Sequence, residues 1–271
     1  MGDGAAAVLS PPRLPRVIDS HTHLFLCDGD EAEVVAAAGE AGVERMLNVG
    51  MDEETNPVAI AGAERHEAVF AAVGRHPNEA TGFDDAAAAE LARLAGHEKV
   101  RAIGETGIDY YRDGAPAADQ RRAFAAQIEI ARDLDLPIVI HGRDPEGGTE
   151  ATDEIFATLD ERAQDCRVIL HCFSAPHRVA DAAARGWYCS FAGNVTYPRS
   201  EELREAAAQV PEGLLLVETD APYLSPQAMR GKRNRPANVV ATARLVAETR
   251  GVSYEHLERV VEANARDLFR W

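Results

Sequence analysis

Eight apolar runs of strand length, separated by alanine-rich stretches, constrain the fold of this chain more than any other feature. The runs are VIDSHTHL (17–24), RMLNVG (45–50), VFAAVG (69–74), VRAIGETGI (100–108), PIVIHGR (137–143), CRVILHCFS (166–174), WYCSFAG (187–193) and LLLVETDAP (214–222). Strands that alternate with helices predict parallel βαβ units, and eight such units favour an α/β fold of the (β/α)8 TIM-barrel type over an open doubly wound sheet. No GxGxxG turn follows the first run, which weakens the dinucleotide-binding alternative.

The stretches between these runs carry helical periodicity. Between residues 115 and 136, Phe124, Ile128 and Ala131 recur at steps of three and four residues, and Pro137 ends the pattern. Helices are expected over residues 30–42, 115–136, 178–186, 236–250 and 253–269. We therefore expect a short, loose N-terminal arm over residues 1–16 and one catalytic barrel domain, with extra C-terminal helices, over residues 17–271.

The charge balance restricts the partners that the chain can have. It carries 45 acidic against 28 basic residues, a formal net charge of −17, and its lysines are Lys99 and Lys232. Such a surface is typical of a halophilic protein, since carboxylates keep a protein soluble in a salty cytoplasm; an ordinary acidic enzyme is the alternative. This charge argues against a broad basic groove for nucleic acid, but it does not exclude a polyanionic substrate held locally by metal ions.

Compartment and redox state follow from what the sequence lacks. The first residues have no basic start, and about 18 apolar residues in a row occur nowhere, so we expect a cytoplasmic protein without membrane contact. No protein partner is evident. The cysteines are Cys27, Cys166, Cys172 and Cys189. Without CxxC spacing they predict buried, reduced thiols, with a disulfide or a zinc site as the alternative.

Ionisable side chains end most of the predicted strands, where the active sites of TIM barrels form. They are Asp19, His21, His23, His76, Glu105, His141, His171, Glu218 and Asp220. Side chains alternate along a strand, which predicts that Asp19, His21 and His23 share one face and that Glu218 and Asp220 share another. Burying so many unpaired ionisable groups is costly, and a divalent cation removes the cost by taking them as ligands.

Six of these side chains predict a site for two divalent metal ions. The predicted ligands are His21, His23, Glu105, His141, His171 and Asp220. Six donors exceed the need of one tetrahedral ion and suit two ions about 3.5–4 Å apart, bridged by Glu105, with Asp19 as a supporting group deeper in the barrel. The imidazoles favour Zn²⁺ or Mn²⁺ over Mg²⁺ without fixing the metal.

Several motifs together point to one protein family. They are VIDSHTHL, VGRHP (73–77), AIGETGIDYY (102–111), PIVIHGRD (137–144), LHCFS (170–174), VETDAPYLSP (217–226), RGKRNRP (230–236) and NARDLF (264–269). The set resembles the TatD-related metal-dependent hydrolases, often described as deoxyribonucleases, within the amidohydrolase-like barrels. This resemblance implies a divalent-metal site at the same six residues and a role near the substrate for His76. Relatives often carry other residues at the positions of Ala175 and Arg235. The difference at Arg235 bears on the expected substrate contacts and not on the expected metal ligands.

Hydrolysis is the chemistry that such a site predicts. Bound metal ions lower the pKa of water toward ~7. We expect Asp220 to accept the proton of that water, Glu105 to bridge the metals and His76 to donate toward the leaving group. The predicted substrate contacts are Arg143, Glu218, Tyr110, Lys232 and Asn234. Glu218 is alternatively a paired interior carboxylate, and aromatic residues such as Tyr110 alternatively pack over the barrel mouth.

Three hypotheses of function remain open at this point. The first is a phosphodiesterase acting as an exonuclease on single-stranded ends of DNA, and possibly of RNA. The second keeps the metals but hydrolyses a small amide, ester or lactone, as amidohydrolases do. The third is a binding protein that holds metal without turnover.

Overall fold

The computed structural model describes residues 16–271, where eight parallel strands pair in sequence order. The strands are β1 (Val17–Thr22), β2 (Val43–Val49), β3 (Val69–Val73), β4 (Val100–Asp109), β5 (Ile138–Arg143), β6 (Val168–Leu170), β7 (Tyr188–Phe191) and β8 (Leu215–Val217). Each predicted strand is present, and the predicted TIM barrel is confirmed. Residues 1–15 of the predicted arm lie outside the described residues, and Arg16 contacts Glu44 at 3.3 Å.

Helices alternate with the strands, and two of them follow β8. They are α1 (Glu31–Ala41), α2 (Thr55–Arg65), α3 (Asp85–Ala95), α4 (Ala117–Asp133), α5 (Glu150–Arg162), α6 (Val179–Ala184), α7 (Glu201–Gln209), α8 (Val239–Arg250) and α9 (Tyr254–Phe269). Local chemistry sets their ends: Asp30 accepts the backbone N–H of Ala32 at the start of α1, and Gly42, with a φ of 96°, follows its last turn. Among the described residues, no helix is both long and apolar enough to span a membrane.

The barrel strands are buried on both faces, as a parallel sheet covered by helices requires. All six residues of β1 are buried, and Ile103 of β4 and Ile138 of β5 have no exposed surface. An ionisable side chain in these strands must therefore find its partners within the protein. The prediction of buried cysteines holds fully only for Cys189, since the other three free thiols are half-buried.

The barrel closes through the segment after β8 rather than through β8 itself. The backbone N–H of Asp220 donates to the carbonyl of His21 at 2.9 Å, and the N–H of His23 donates to the carbonyl of Ala221 at 2.8 Å. An isolated parallel bridge pairs Thr22 with Ala221. The seam between the first and last strands is therefore formed by residues that carry predicted metal ligands.

Candidate active site

A buried carboxylate, Glu105, lies at the centre of a ring of histidines at the carboxyl ends of the strands. Its Oε2 lies 2.8 Å from Nε2 of His21 and 3.3 Å from Nε2 of His171. Its Oε1 lies 3.0 Å from Nε2 of His76 and 3.7 Å from Nδ1 of His141. Each carboxylate oxygen therefore faces its own pair of imidazoles.

His23 and Asp220 complete the cluster on the β1 side. Oδ1 of Asp220 lies 3.6 Å from Nε2 of His23 and 3.9 Å from Nε2 of His21. The two Nε2 atoms of His21 and His23 are 3.4 Å apart, as are Nε2 of His171 and Nδ1 of His141. The structure thus brings together all six predicted metal ligands, with His76 beside them.

Two glycines in β4 allow Glu105 to come close to β5. Gly104 and Gly107 have φ values of 128° and 145°, in the region that favours glycine. A Cβ at Gly107 would lie 2.0 Å from the carbonyl oxygen of His141, and one at Gly104 would lie 2.6 Å from that of Val139. The distance between Glu105 and His141 depends on the absence of side chains at these two positions.

Three of the histidines are held by protein acceptors that contact the ring nitrogen facing away from the centre of the site. The pairs are Nδ1 of His23 with the carbonyl of Val49 at 2.7 Å, Nε2 of His141 with Oδ2 of Asp109 at 3.2 Å, and Nδ1 of His171 with Oε1 of Glu218 at 3.2 Å. Since a carbonyl or carboxylate oxygen accepts, the proton of a neutral ring lies on the nitrogen that faces it. The other nitrogen then directs its lone pair to the centre of the site, as in metal-ligating histidines.

Asp109 is a functional residue that the sequence analysis missed. Besides facing His141, its carboxylate accepts from Nδ2 of Asn78 at 3.0 Å and from two backbone N–H groups of the turn after β4. Burial raises the pKa of Asp109, but the His141 contact and these donors outweigh it and hold the pKa well below its usual range. Strand alternation contained the signal, because Asp109 lies four residues after Glu105 and so on the same face.

Opposite charges shift the pKa values within the cluster. Burial raises the pKa of Glu105, but the surrounding imidazoles, His171 foremost, outweigh it and hold the pKa well below its usual range. Burial lowers the pKa of His171, yet the facing carboxylates of Glu105 and Glu218 raise it to about 9. Burial and a neighbouring imidazole lower the pKa of His141 to about 4. Anionic oxygens and a neutral imidazole thus lie side by side at neutral pH.

The donor set fits divalent metal ions. Within residues 16–271, Oε2 of Glu105 has no hydrogen-bond partner, although two imidazole nitrogens lie within 3.3 Å of it. Nitrogens and a carboxylate oxygen that converge in this way are ligands for a shared cation. Three overlapping triads bring donor atoms within 4.8 Å of one another: His21 with His23 and Glu105, His21 with His171 and Asp220, and His76 with Glu105 and His141.

Strand alternation fails as a guide around β8. This strand ends at Val217, and Asp220 reaches the cluster from a turn in which its own φ is 53°. Asp19 supports this turn rather than a histidine ring, because its carboxylate accepts the backbone N–H of Thr219 at 2.8 Å. The prediction that Glu218 and Asp220 share a strand face is therefore wrong.

Three of the five predicted substrate contacts lie away from the open part of the site. Glu218 and Asn234 have no exposed surface. Oε1 of Glu218 contacts Nδ1 of His171, and Nδ2 of Asn234 donates to the carbonyl of Thr219 at 2.9 Å. The hydroxyl of Tyr110 donates to Glu154 at 2.7 Å. These side chains hold the walls of the site, and each has a polar atom engaged by a protein group.

The other two predicted contacts lie on the rim with exposed tyrosines. The guanidinium of Arg143 stacks on the ring of Tyr111, 3.9 Å from its centroid, and Tyr111 is 55% exposed. Tyr223 is 52% exposed, and its ring centroid lies 6.3 Å from that of His23. Lys232 is exposed in the loop after β8. The rim therefore presents aromatic and cationic groups beside the histidine cluster.

The chain is similar over nearly its whole length to known proteins. The family model described as TatD related DNase matches residues 18–270. An uncharacterised metal-dependent hydrolase of Bacillus subtilis is 36% identical over 258 residues, which cover 94% of this chain and 99% of that protein. A protein of Cronobacter sakazakii named 3′-5′ ssDNA/RNA exonuclease TatD is 37% identical, and the match covers 89% of this chain and 92% of that protein. The crystal structure of YjjV, a TatD homolog from Escherichia coli K12, superposes with a TM-score of 0.86 at 26% identity, covering 96% and 100%.

Proposed function

This chain belongs to the TatD related DNase family and is a metal-dependent hydrolase, and on that premise we propose that it is an exonuclease acting on single-stranded ends of DNA or RNA. The name of the Cronobacter sakazakii relative describes that activity. A strand end can enter a compact pocket, so the reaction needs no basic track along a duplex. The net charge of −17, which argues against a basic track, is therefore compatible with this activity.

The observation that carries the proposal is the pair of exposed tyrosines on the rim. Among the described residues, the exposed large hydrophobic side chains are Val58, Tyr111, Leu134 and Tyr223. The ring of Tyr223 lies beside His23, and Tyr111 stacks on Arg143, two residues after His141. Every nucleobase has a face that can stack on an aromatic ring. Arg143, stacked on Tyr111, adds a cation for a phosphate oxygen. A small neutral amide or ester needs neither group.

The six clustered residues would hold the metal ions. Glu105 offers one oxygen to His21 and His171 and the other to His76 and His141, an arrangement that supports two ions sharing one carboxylate. When bound, divalent ions would supply a Lewis acid for the phosphate and lower the pKa of the attacking water. The imidazoles favour Zn²⁺ or Mn²⁺ over Mg²⁺.

Asp220 is the proton acceptor in this proposal. Its side chain is 14% exposed, against 4% for Glu105, so it is the more open carboxylate of the cluster. Burial raises the pKa of Asp220, but the contact with His23 and the other imidazoles outweigh it and hold the pKa below its usual range. Asp220 is therefore ionised at neutral pH and can take a proton from water.

His76 donates a hydrogen bond to the leaving oxygen in this proposal. Its Nδ1 accepts the backbone N–H of Asn78 at 3.1 Å, so the proton of the neutral ring lies on Nε2. This nitrogen faces Oε1 of Glu105 at 3.0 Å, at the centre of the site. A substrate oxygen that enters there meets an N–H donor already directed at it.

Labelled single strands test the proposal. Metal-loaded protein is incubated with end-labelled DNA and RNA strands at high salt, and released mononucleotides are measured beside neutral amide and ester substrates. We expect release to fall by at least about 10³-fold in Asp220→Ala. Faster hydrolysis of a neutral amide or ester than of any strand would support the small-molecule alternative instead.

The rim supplies a sharper control. Tyr111→Ala removes a stacking surface worth about 1–3 kcal/mol per base, so we expect KM for a single strand to rise about tenfold with kcat unchanged. Leu134→Ala removes an exposed side chain of the outer surface and serves as the matched control. An equal KM in both variants would contradict the assignment of Tyr111 to substrate binding.

A further inference from the structure

The two residues before His76 are held by side-chain amides from two different helices. Asn56 of α2 brackets the peptide groups of Gly74: its Nδ2 donates to the carbonyl at 2.9 Å, and its Oδ1 accepts the N–H at 3.0 Å. Gln127 of α4 brackets Arg75 in the same way, at 3.0 and 2.8 Å. Asn56 is 3% exposed and Gln127 is fully buried.

These two amides lie just beyond the last backbone pair between β3 and β4. The last aligned pair between β3 and β4 is Val73 with Ile103. Beyond it, Gly74 packs so closely on β4 that an added Cβ would lie 2.4 Å from the carbonyl carbon of Gly104. Buried peptide groups need hydrogen-bond partners, and in this segment the two side-chain amides supply them.

Gln127 also reaches the strand that carries Glu105. Its Nε2 lies 2.6 Å from Oγ1 of Thr106, the residue directly after Glu105. One buried side chain thus contacts the residue before His76 and the residue after Glu105. The two functional side chains themselves meet at 3.0 Å, from Nε2 to Oε1.

We propose that Gln127 is a positioning residue that aligns His76 with Glu105, with Asn56 assisting from the other side. The inference rests on the proposed role of His76 as hydrogen-bond donor to the leaving oxygen. A side chain that donates in the transition state must be held within a fraction of an ångström, and Gln127 holds its loop against β4.

The same helix provides a matched control, Gln120. It lies two turns before Gln127, is 2% exposed, and brackets the peptide groups of Asp109 at 2.9 and 3.1 Å. Asp109 in turn contacts His141. Gln120 therefore makes the same kind of contact from the same helix, but to Asp109 rather than to Arg75, so it controls for the loss of a buried amide from α4.

A double-mutant cycle on metal-loaded, full-length protein tests the proposal. We expect Q127M to lower kcat about 10- to 100-fold with little change in KM, and H76A to lower it about 100-fold. If Gln127 acts through His76, the double variant is no slower than H76A alone. Multiplying effects of Q127M and H76A, or an unchanged kcat in either variant, would overturn the proposal.

Two further measurements cover folding and the dependence on substrate. Q127E keeps the acceptor for the Arg75 N–H but loses both donors, so it enters the same cycle if Q127M does not fold. Deuterium exchange at the Arg75 amide, measured without substrate, should be faster in Q127M and unchanged in Q120M. An unchanged rate in Q127M would contradict the hydrogen bonds between Gln127 and Arg75. If the wild type does not cleave DNA or RNA, the nuclease proposal fails, and the cycle is run on bis-p-nitrophenyl phosphate or whichever ester it hydrolyses.

Discussion

The two ends of the barrel use opposite kinds of polar contact. Where the strands begin, side-chain donors meet backbone carbonyls: Asn264 donates to the carbonyls of Glu212 and Leu215 at 2.6 and 2.8 Å, and Lys99 contacts three carbonyls of the segment leading into β3. Where the strands finish, ionisable groups converge around Glu105, one of whose oxygens has no hydrogen-bond partner within residues 16–271. At the first end protein donors satisfy these carbonyls, whereas the second end fits a cation.

This difference separates stability from function within one fold. Charges gathered in a buried site lose their hydration, and like charges repel one another, at a cost of several kcal/mol per unpaired ion. They stay in place because Asp109 and Glu218 hold two of the histidines from behind. Within residues 16–271, no comparable cluster of buried ionisable groups lies where the strands begin, so substitutions there should change stability and leave activity unchanged.

The largest expected effect comes from removing the ligands of β1. In the double variant His21→Ala, His23→Ala we expect kcat to fall by at least about 10³-fold, because two imidazole ligands are lost from one ion. The metal content of purified protein, measured by elemental analysis, should fall with it. A double variant that keeps its metal would contradict the assignment of these histidines.

A smaller effect is expected from changing a residue that contacts a predicted metal ligand. Asp109→Asn keeps the shape of the side chain but removes the charge facing His141, so metal affinity should fall about 10- to 100-fold. Competition with a chromophoric chelator measures it. Asp135→Asn is the matched control, since that carboxylate is exposed and pairs with Arg167 and Arg270 at the other end of the barrel. Equal affinities in the two variants would remove Asp109 from the site.

The smallest effect on the reaction is expected at the strand beginnings. Asn264→Leu leaves two carbonyls without their donor, and the free energy of unfolding should fall by about 1–2 kcal/mol. Because the site lies at the far end of the strands, kcat and metal content should stay within twofold of the wild type. Denaturant unfolding and single-strand hydrolysis, measured on the same preparation, compare the two ends directly. A large loss of kcat would show that the ends are coupled.

Much of this arrangement can be predicted from the sequence because regular strands obey simple rules. Apolar runs and their spacing predict the eight strands, and the position of Glu105 and His141 at the ends of two of these runs predicts that they meet at one end of the barrel. These predictions succeed because hydrogen-bonded neighbours on both sides leave a strand little choice of conformation.

The failures lie where regular pairing ends. β8 has only three residues, and the left-handed φ of Asp220 breaks the alternation that linked it to Glu218. The exposures of Tyr110 and Tyr111 differ although the two residues are neighbours in sequence, because Glu154 of α5 engages only the hydroxyl of Tyr110. Contacts from a distant helix, such as those of Gln127, leave no pattern in the local sequence.

The seam between β1 and the segment after β8 has a consequence for the synthesis of the protein. The predicted ligands extend from His21 to Asp220, and the hydrogen bonds that close the barrel join the same two stretches. A nascent chain that stops before residue 220 has neither the closed barrel nor the complete set of predicted ligands. We therefore expect a prematurely terminated product to be inactive as a hydrolase.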